Sequence, residues 1–150
     1  MSEHKATIEW ARGGADFGIR NYSRNHVWRY ENGLETPASA TPAYLGDPTR
    51  VDPETAFVAA LSSCHMLTFL ALASTKGFVV DAYVDHAVGF LEKNAAGKVA
   101  VARAELHPKI VFGGDKQPSE AELAALHDAA HKGCFISNSV TTAVSVVAGA

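Results

Sequence analysis

The chain has 150 residues, with 13 basic and 16 acidic side chains for a net charge of −3. That length predicts one domain over 1–150, large enough to bury a core without covalent staples. Hydrophobic residues make up 47% and charged ones 19%, the ordinary composition of a soluble globular protein. No block of Lys and Arg occurs, so a nucleic-acid footprint is excluded. Two cysteines are too few for a secreted disulfide scaffold.

The opening residues, MSEHKATIEW, hold no apolar stretch of the secretory kind, so a cytoplasmic protein is expected. Residues 6–12, ATIEWAR, read as a strand and GGADFG as a turn. NYSRNHVWRYENG carries strand aromatics and closes on Asn32-Gly33, a strong hairpin signal. The partner strand falls in LETPASATPAY, where Pro37 and Pro42 predict an edge position or an early end.

Asp52-Pro53-Glu54 opens a helix, with Asp52 as N-cap, Pro53 at the first helical position and Glu54 in the first turn. It should run to about Lys76, with Gly77 as the left-handed stop. Residues 56–73 are interrupted by Ser62, Ser63, Cys64, His65 and Thr68, so they read as a core helix rather than a membrane span. A helix apolar nearly all round must be covered on most sides, which points to a second copy wrapped around it.

FVVDAYVDHAVGFLEK and VAVARAELHPKIVFGG, joined by NAAGK, predict one long hairpin. PSEAELAALHDAAHKG is a second helix with a Ser119–Glu122 capping box and a stop at Gly133. CFISNSVTTAVSVVAGA reads as a helical turn and a last strand. The class is α+β.

Cys64 lies mid-helix in ALSSCHML, and Cys134 directly follows Gly133. A buried thiol packs like a small hydrophobe and is inert when its surroundings are apolar. Against that, Ser62-Ser63-Cys64-His65 gathers small polar groups at one turn, as beside a cavity. Cys134 has the donors of a following turn nearby, and the two thiols could meet through tertiary contact. A thiol active near neutral pH needs a cation or donors at its sulfur. Arg20, Arg24, Arg29 and Arg50 precede the helix, and arginine is the better cation because its charge is permanent. His65 is next to Cys64 but faces another way, so packing is its expected role. Glu54 could orient an arginine, but ten residues of helix, about 15 Å, separate it from Cys64. Packing residue, metal ligand and nucleophile all stay open for Cys64 on these grounds.

The segments DPETAFVAALSSCH and KGCFISNSV resemble the OsmC/Ohr family, osmotically induced protein C and organic hydroperoxide resistance protein. The pattern is Pro-Glu, an Ala-rich helix, Cys ten residues after Glu, then Gly-Cys-aliphatic-Ser late in the chain. The resemblance implies an intertwined α+β homodimer with two long central helices between curved antiparallel sheets. It also implies a peroxiredoxin-like hydroperoxide reductase that needs no metal or organic cofactor. On that carry-over Cys64 is the peroxidatic thiolate and Cys134 the resolving thiol. Glu54 matches the family's arginine-pairing Glu, and Arg24 is placed as that arginine with Arg50 second. Organic hydroperoxides would be the substrates and a lipoyl-type or small dithiol the reductant; nucleic acid and membrane are not expected partners.

Two other readings compete. His127, His131 and Cys134 have the spacing of metal ligands, with Cys64 as a fourth. The same fold could also hold a small apolar ligand in an interface cavity without catalysis.

Overall fold

The computed structural model describes residues 1–147; the tail of the predicted last strand, 148–150, lies outside them. The chain comprises two compact units, Met1–Ala56 and Phe57–Ala150.

The first unit is a three-stranded antiparallel sheet of β1 (Ala6–Glu9), β2 (His26–Tyr30) and β3 (Glu35–Ala38), with β2 central. The Asn32-Gly33 turn forms as expected: Gly33 has φ 82°, and its N–H donates to Tyr30 O at 3.0 Å. Pro37, without an N–H, keeps β3 at the sheet edge. β1 stops short of the expected Arg12. Trp10 turns aside instead, donating its indole N–H to Ser23 O at 2.7 Å and packing on Phe17 and Tyr22. At the unit's end, Asp52 Oδ1 accepts the Thr55 N–H at 2.9 Å and caps α1 (Pro53–Thr75).

In the second unit Leu61, His65, Phe69 and Ala73 step along α1 four residues at a time and form one buried stripe. Phe69 and Ala73 join Phe78, Leu126 and Ala130 in the core. Gly77, with φ 77°, ends the helix, and Phe78 N–H closes on Ala73 O at 3.0 Å. The rest of α1 is less covered than the sequence predicts: Leu67 is 61% exposed. By length and composition the helix could cross a membrane, and only 22% of its most apolar window is buried within this chain.

The expected long hairpin forms, but both arms break. β4 (Val79–Asp85) pairs with β7 (Pro108–Gly113), and β5 (Val88–Lys93) pairs with β6 (Val99–Leu106), both antiparallel. Asp85 marks the break. Its carboxylate takes the His107 N–H at 2.6 Å and the Ser62 hydroxyl, and Pro108 opposite it has no N–H to offer. β8 (Ala143–Val146) then pairs with β6 in parallel, one departure from an all-antiparallel expectation. Gly89 on β5 lies so close to Val58 of α1 that no Cβ fits there.

α2 (Glu120–Gly133) has the predicted capping box, with Ser119 and Glu122 exchanging hydrogen bonds. Gly133 is its last residue but is absent from the positive-φ glycines. It serves close packing instead, since a Cβ would meet Thr68 Cγ2 at 3.1 Å. The class is α+β.

Candidate thiol site

α1 and α2 of the second unit bring two pairs of side chains together. Cys64 and Cys134, 70 residues apart in the sequence numbering, are both free thiols within hydrogen-bonding reach of each other. Cys134 is fully buried, whereas Cys64 is half-buried. The turn after α2 wraps the sulfurs in backbone donors. Ser137 N–H donates to Cys134 Sγ at 3.3 Å. The N–H groups of Ile136 and Phe135 face Cys64.

That turn is pinned locally. Asn138 N–H donates to Cys134 O at 3.0 Å, its side-chain amide donates to Lys132 O at 3.1 Å, and Ser139 Oγ donates to Phe135 O at 2.7 Å. Ser and Asn residues favour such side-chain-to-backbone closures, which is why the run after the helix end forms a turn of 3-10 helix over Ser137–Ser139.

Burial pushes the Cys64 thiol up and Cys134 beside it pushes it further, while the two backbone donors work against both without reversing the shift. Burial also opposes ionisation of Cys134, but Cys64, the Ser137 hydroxyl and the N–H groups outweigh it, and Cys134 moves down. Burial thus opposes an anion at this pair, and the N–H groups of the turn favour one. For Cys64 to become the anion, a cation must act on it.

The arginine and glutamate candidates belong to the first unit. Arg24 and Glu54 line one cleft of about 300 Å³ with His26, Ser39, Thr41 and Tyr44. Glu54 Oε2 is buried there with no hydrogen-bond partner among the described residues. Arg24 is held by the carbonyls of Ile19 and Tyr22 and lies 3.8 Å over the Tyr22 ring. Arg50 instead pairs with Asp47 at 3.5 Å, and Arg29 is taken by Glu9 and Glu35. Of the arginines weighed from sequence, Arg24 is the one that borders the cleft with Glu54.

The second pair is His65 and His127. His65 is 1% exposed, its Nε2 meets His127 Nδ1 at 3.1 Å, and the rings stack at 5.4 Å. Phe69 also stacks on His127, with centroids 4.6 Å apart. Burial pushes His65 down to about 4 and His127 below its ordinary value, so both are neutral near pH 7. This pairing takes His127 away from the metal set considered from sequence. Among the described residues, no three His, Cys, Asp or Glu side chains come together to hold a metal ion.

Sequence reading found both thiols but missed the donors around them. The Ser-Asn-Ser run in KGCFISNSV was the available signal. It also missed the carboxylate of Asp85, which nothing in YVDHAV distinguishes from an exposed strand residue.

Comparison with known proteins completes the picture. The family described as OsmC-like protein matches residues 46–148. An OsmC-like protein of unknown function from Vibrio cholerae is 44% identical, with a TM-score of 0.93 over 98% of this chain and 100% of that one. An organic hydroperoxide resistance protein from Elizabethkingia anophelis shares the fold at 21% identity and a TM-score of 0.70, covering 97% of this chain and 93% of that one. Another from Legionella pneumophila does so at 19% identity and a TM-score of 0.66, covering 97% and 96%. No curated protein matches the chain.

Proposed function

The chain belongs to the OsmC-like family, and from that premise we propose that it is a cysteine-based peroxidase that reduces organic hydroperoxides. The single observation that carries the reading is two free thiols, one on α1 and one capping α2, close enough to act on each other beside the backbone donors of one turn. Two relatives of the same fold are named organic hydroperoxide resistance proteins.

The chemistry assigns the thiols different tasks. Cys134 is sealed off, so a hydroperoxide can reach only Cys64. The Cys64 thiolate attacks the outer peroxide oxygen; the O–O bond breaks and the alkoxide leaves as alcohol after taking a proton. Cys64 is then a sulfenic acid. Cys134 attacks its sulfur, an S–S bond forms, the S–O bond breaks, and hydroxide leaves as water. The thiols have given two electrons to the peroxide, and a lipoyl-type or other small dithiol returns them by exchange.

Arg24, steered by Glu54, supplies the cation that makes Cys64 an anion. The support is the shared cleft and the buried, unpartnered Glu54 oxygen. A second copy covers the apolar flank of α1 that one chain leaves open, and the protein works in the cytoplasm as a homodimer. Ser63, exposed on that helix one turn from Leu67, supports a protein partner over a lipid one.

Turnover of cumene hydroperoxide with a dithiol reductant tests the proposal. Cys64→Ser should abolish it, and Cys134→Ser should allow one oxidation and then stall with Cys64 as a trappable sulfenic acid. Full activity in Cys64→Ser would end the peroxidase reading. A ligand-binding role without catalysis would then gain from the separate cleft of about 690 Å³ bordered by Phe57, Lys93 and Val101.

A further inference from the structure

His26 and Trp28 lie two residues apart on β2, so their side chains leave the same face of the sheet. The Trp28 indole N–H donates to His26 Nε2 at 2.9 Å. An indole nitrogen can only donate, so Nε2 carries no proton. The proton of the neutral ring is therefore on Nδ1, which donates it to Arg24 O at 2.7 Å. Both ring nitrogens are engaged, and Trp28 selects the tautomer. At the far end of this relay stands the arginine that borders the cleft with Glu54, and His26 lines the same cleft.

From this geometry we infer that His26 is a positioning residue for Arg24, and that a second proton on His26 releases its hold. The inference rests on the reading of Arg24 as the cation for Cys64, and it adds an acid-side control to that site. The neutral ring holds the Arg24 backbone, while Ile19 O and Tyr22 O hold the guanidinium. An imidazolium carries hydrogen on both nitrogens. Its Nε2–H would face the Trp28 N–H, donor against donor, across a hydrogen-bonding distance. The ring must turn, and the bond to Arg24 O goes with it.

The charged and titratable groups around His26 come from several elements. Arg24 precedes it in the chain. Between β3 and α1, Tyr44 lines the cleft, and Arg50 donates to His26 O at 3.4 Å while paired with Asp47. From α1, Glu54 supplies the carboxylate of the cleft. On β3 the uncharged Ala38 lies opposite His26, and on β1 Glu9 is taken by Arg29. The direct Trp28 contact leaves none of them room at Nε2.

The experiment measures kcat/KM for cumene hydroperoxide between about pH 5.5 and about pH 8, the range in which histidine titrates. The proteins are the wild type, His26→Phe, His26→Asn, Trp28→Phe and Trp28→Phe combined with Arg24→Ala. Nitrogen NMR of the imidazole reads the His26 tautomer in parallel. At the alkaline end His26→Phe should be about fivefold slower than the wild type, the size of one ordinary hydrogen bond. His26→Asn, whose amide keeps a donor for Arg24 O, should keep the wild-type rate. Trp28→Phe should match the wild type there, because Arg24 O still selects the Nδ1–H form. At the acid end it should exceed the wild type about fivefold, because its ring takes the second proton without turning. Acid effects elsewhere, on Cys64 included, are common to both proteins and cancel in that ratio. In the Arg24→Ala background the gain should vanish. A parallel acid decline in the wild type and Trp28→Phe, a gain that survives Arg24→Ala, or a His26 proton on Nε2 at alkaline pH would overturn the inference. If no protein turns over peroxide, while NMR shows the Nδ1–H form and loss of the Trp28 bond in acid, the peroxidase reading fails and the hold of His26 on Arg24 stands.

Discussion

Cys64 and His65 are neighbours on α1; His65 meets His127 from the middle of α2 and Cys64 meets Cys134 at its C-cap, yet the two pairs are chemical opposites. His65 and His127 stack on each other with Phe69 against His127, are buried, and are held neutral. Cys64 and Cys134 sit one residue round the helix, with one sulfur half-open and both facing N–H groups of a tight turn. Successive helix residues point about 100° apart, so one turn can serve the core with one side chain and a site with the next. Burial alone does not decide which pair reacts, because both are buried on at least one member. The difference lies in what surrounds them: aromatic faces for the imidazoles, donors for the sulfurs.

The sharpest way to break this comparison is to remove the cation proposed for Cys64. Arg24→Ala should lower kcat/KM for an alkyl hydroperoxide about a hundredfold, the scale of one lost charge-stabilising donor. It should also raise the pH at which Cys64 alkylates. Arg50→Ala, whose arginine already pairs with Asp47, should change either value less than threefold, a small effect within the ordinary range for a surface pair. Equal loss in both variants would remove Arg24 from its special place.

The imidazole pair predicts a smaller effect, and on stability instead of activity. Its folded pKa values are depressed, so below the ordinary histidine value of 6.5 the unfolded chain binds more protons than the folded one. The stability they contribute is therefore complete above about pH 6.5 and is lost as pH falls towards about 4. For His65 the loss amounts to at most about 3 kcal/mol. Urea midpoints measured across that window should fall, and fall less in the His65→Leu/His127→Leu double variant. A parallel decline in both proteins would assign the acid sensitivity to carboxylates elsewhere.

Much of this was legible in the sequence, for local reasons. The Asp52 cap, the Asn32-Gly33 turn, the Ser119–Glu122 box and the Gly77 stop are each written in a few adjacent residues, and each forms. The break in the long hairpin was not legible. It depends on the Asp85 carboxylate turning inward to Ser62 and His107, a choice made by tertiary packing. Gly133 was read as a left-handed stop but is needed for the approach of Thr68, a contact 65 positions away that no local pattern records. The same limit hid the His65–His127 stack. The two thiols stood out because free cysteines are few and their segments resemble a family. The turn that wraps Cys134 is spelled in common residues, Ser and Asn, whose meaning appears only once the sulfur is beside them.

The most direct test of the central claim is intact-mass and peptide mass spectrometry of the reduced protein after one equivalent of an alkyl hydroperoxide. The expected product has lost two hydrogens and yields one cross-linked peptide pair joining Cys64 to Cys134 within a single chain. Two unmodified thiols, or a Cys64 oxidised beyond sulfenic acid with Cys134 untouched, would contradict it.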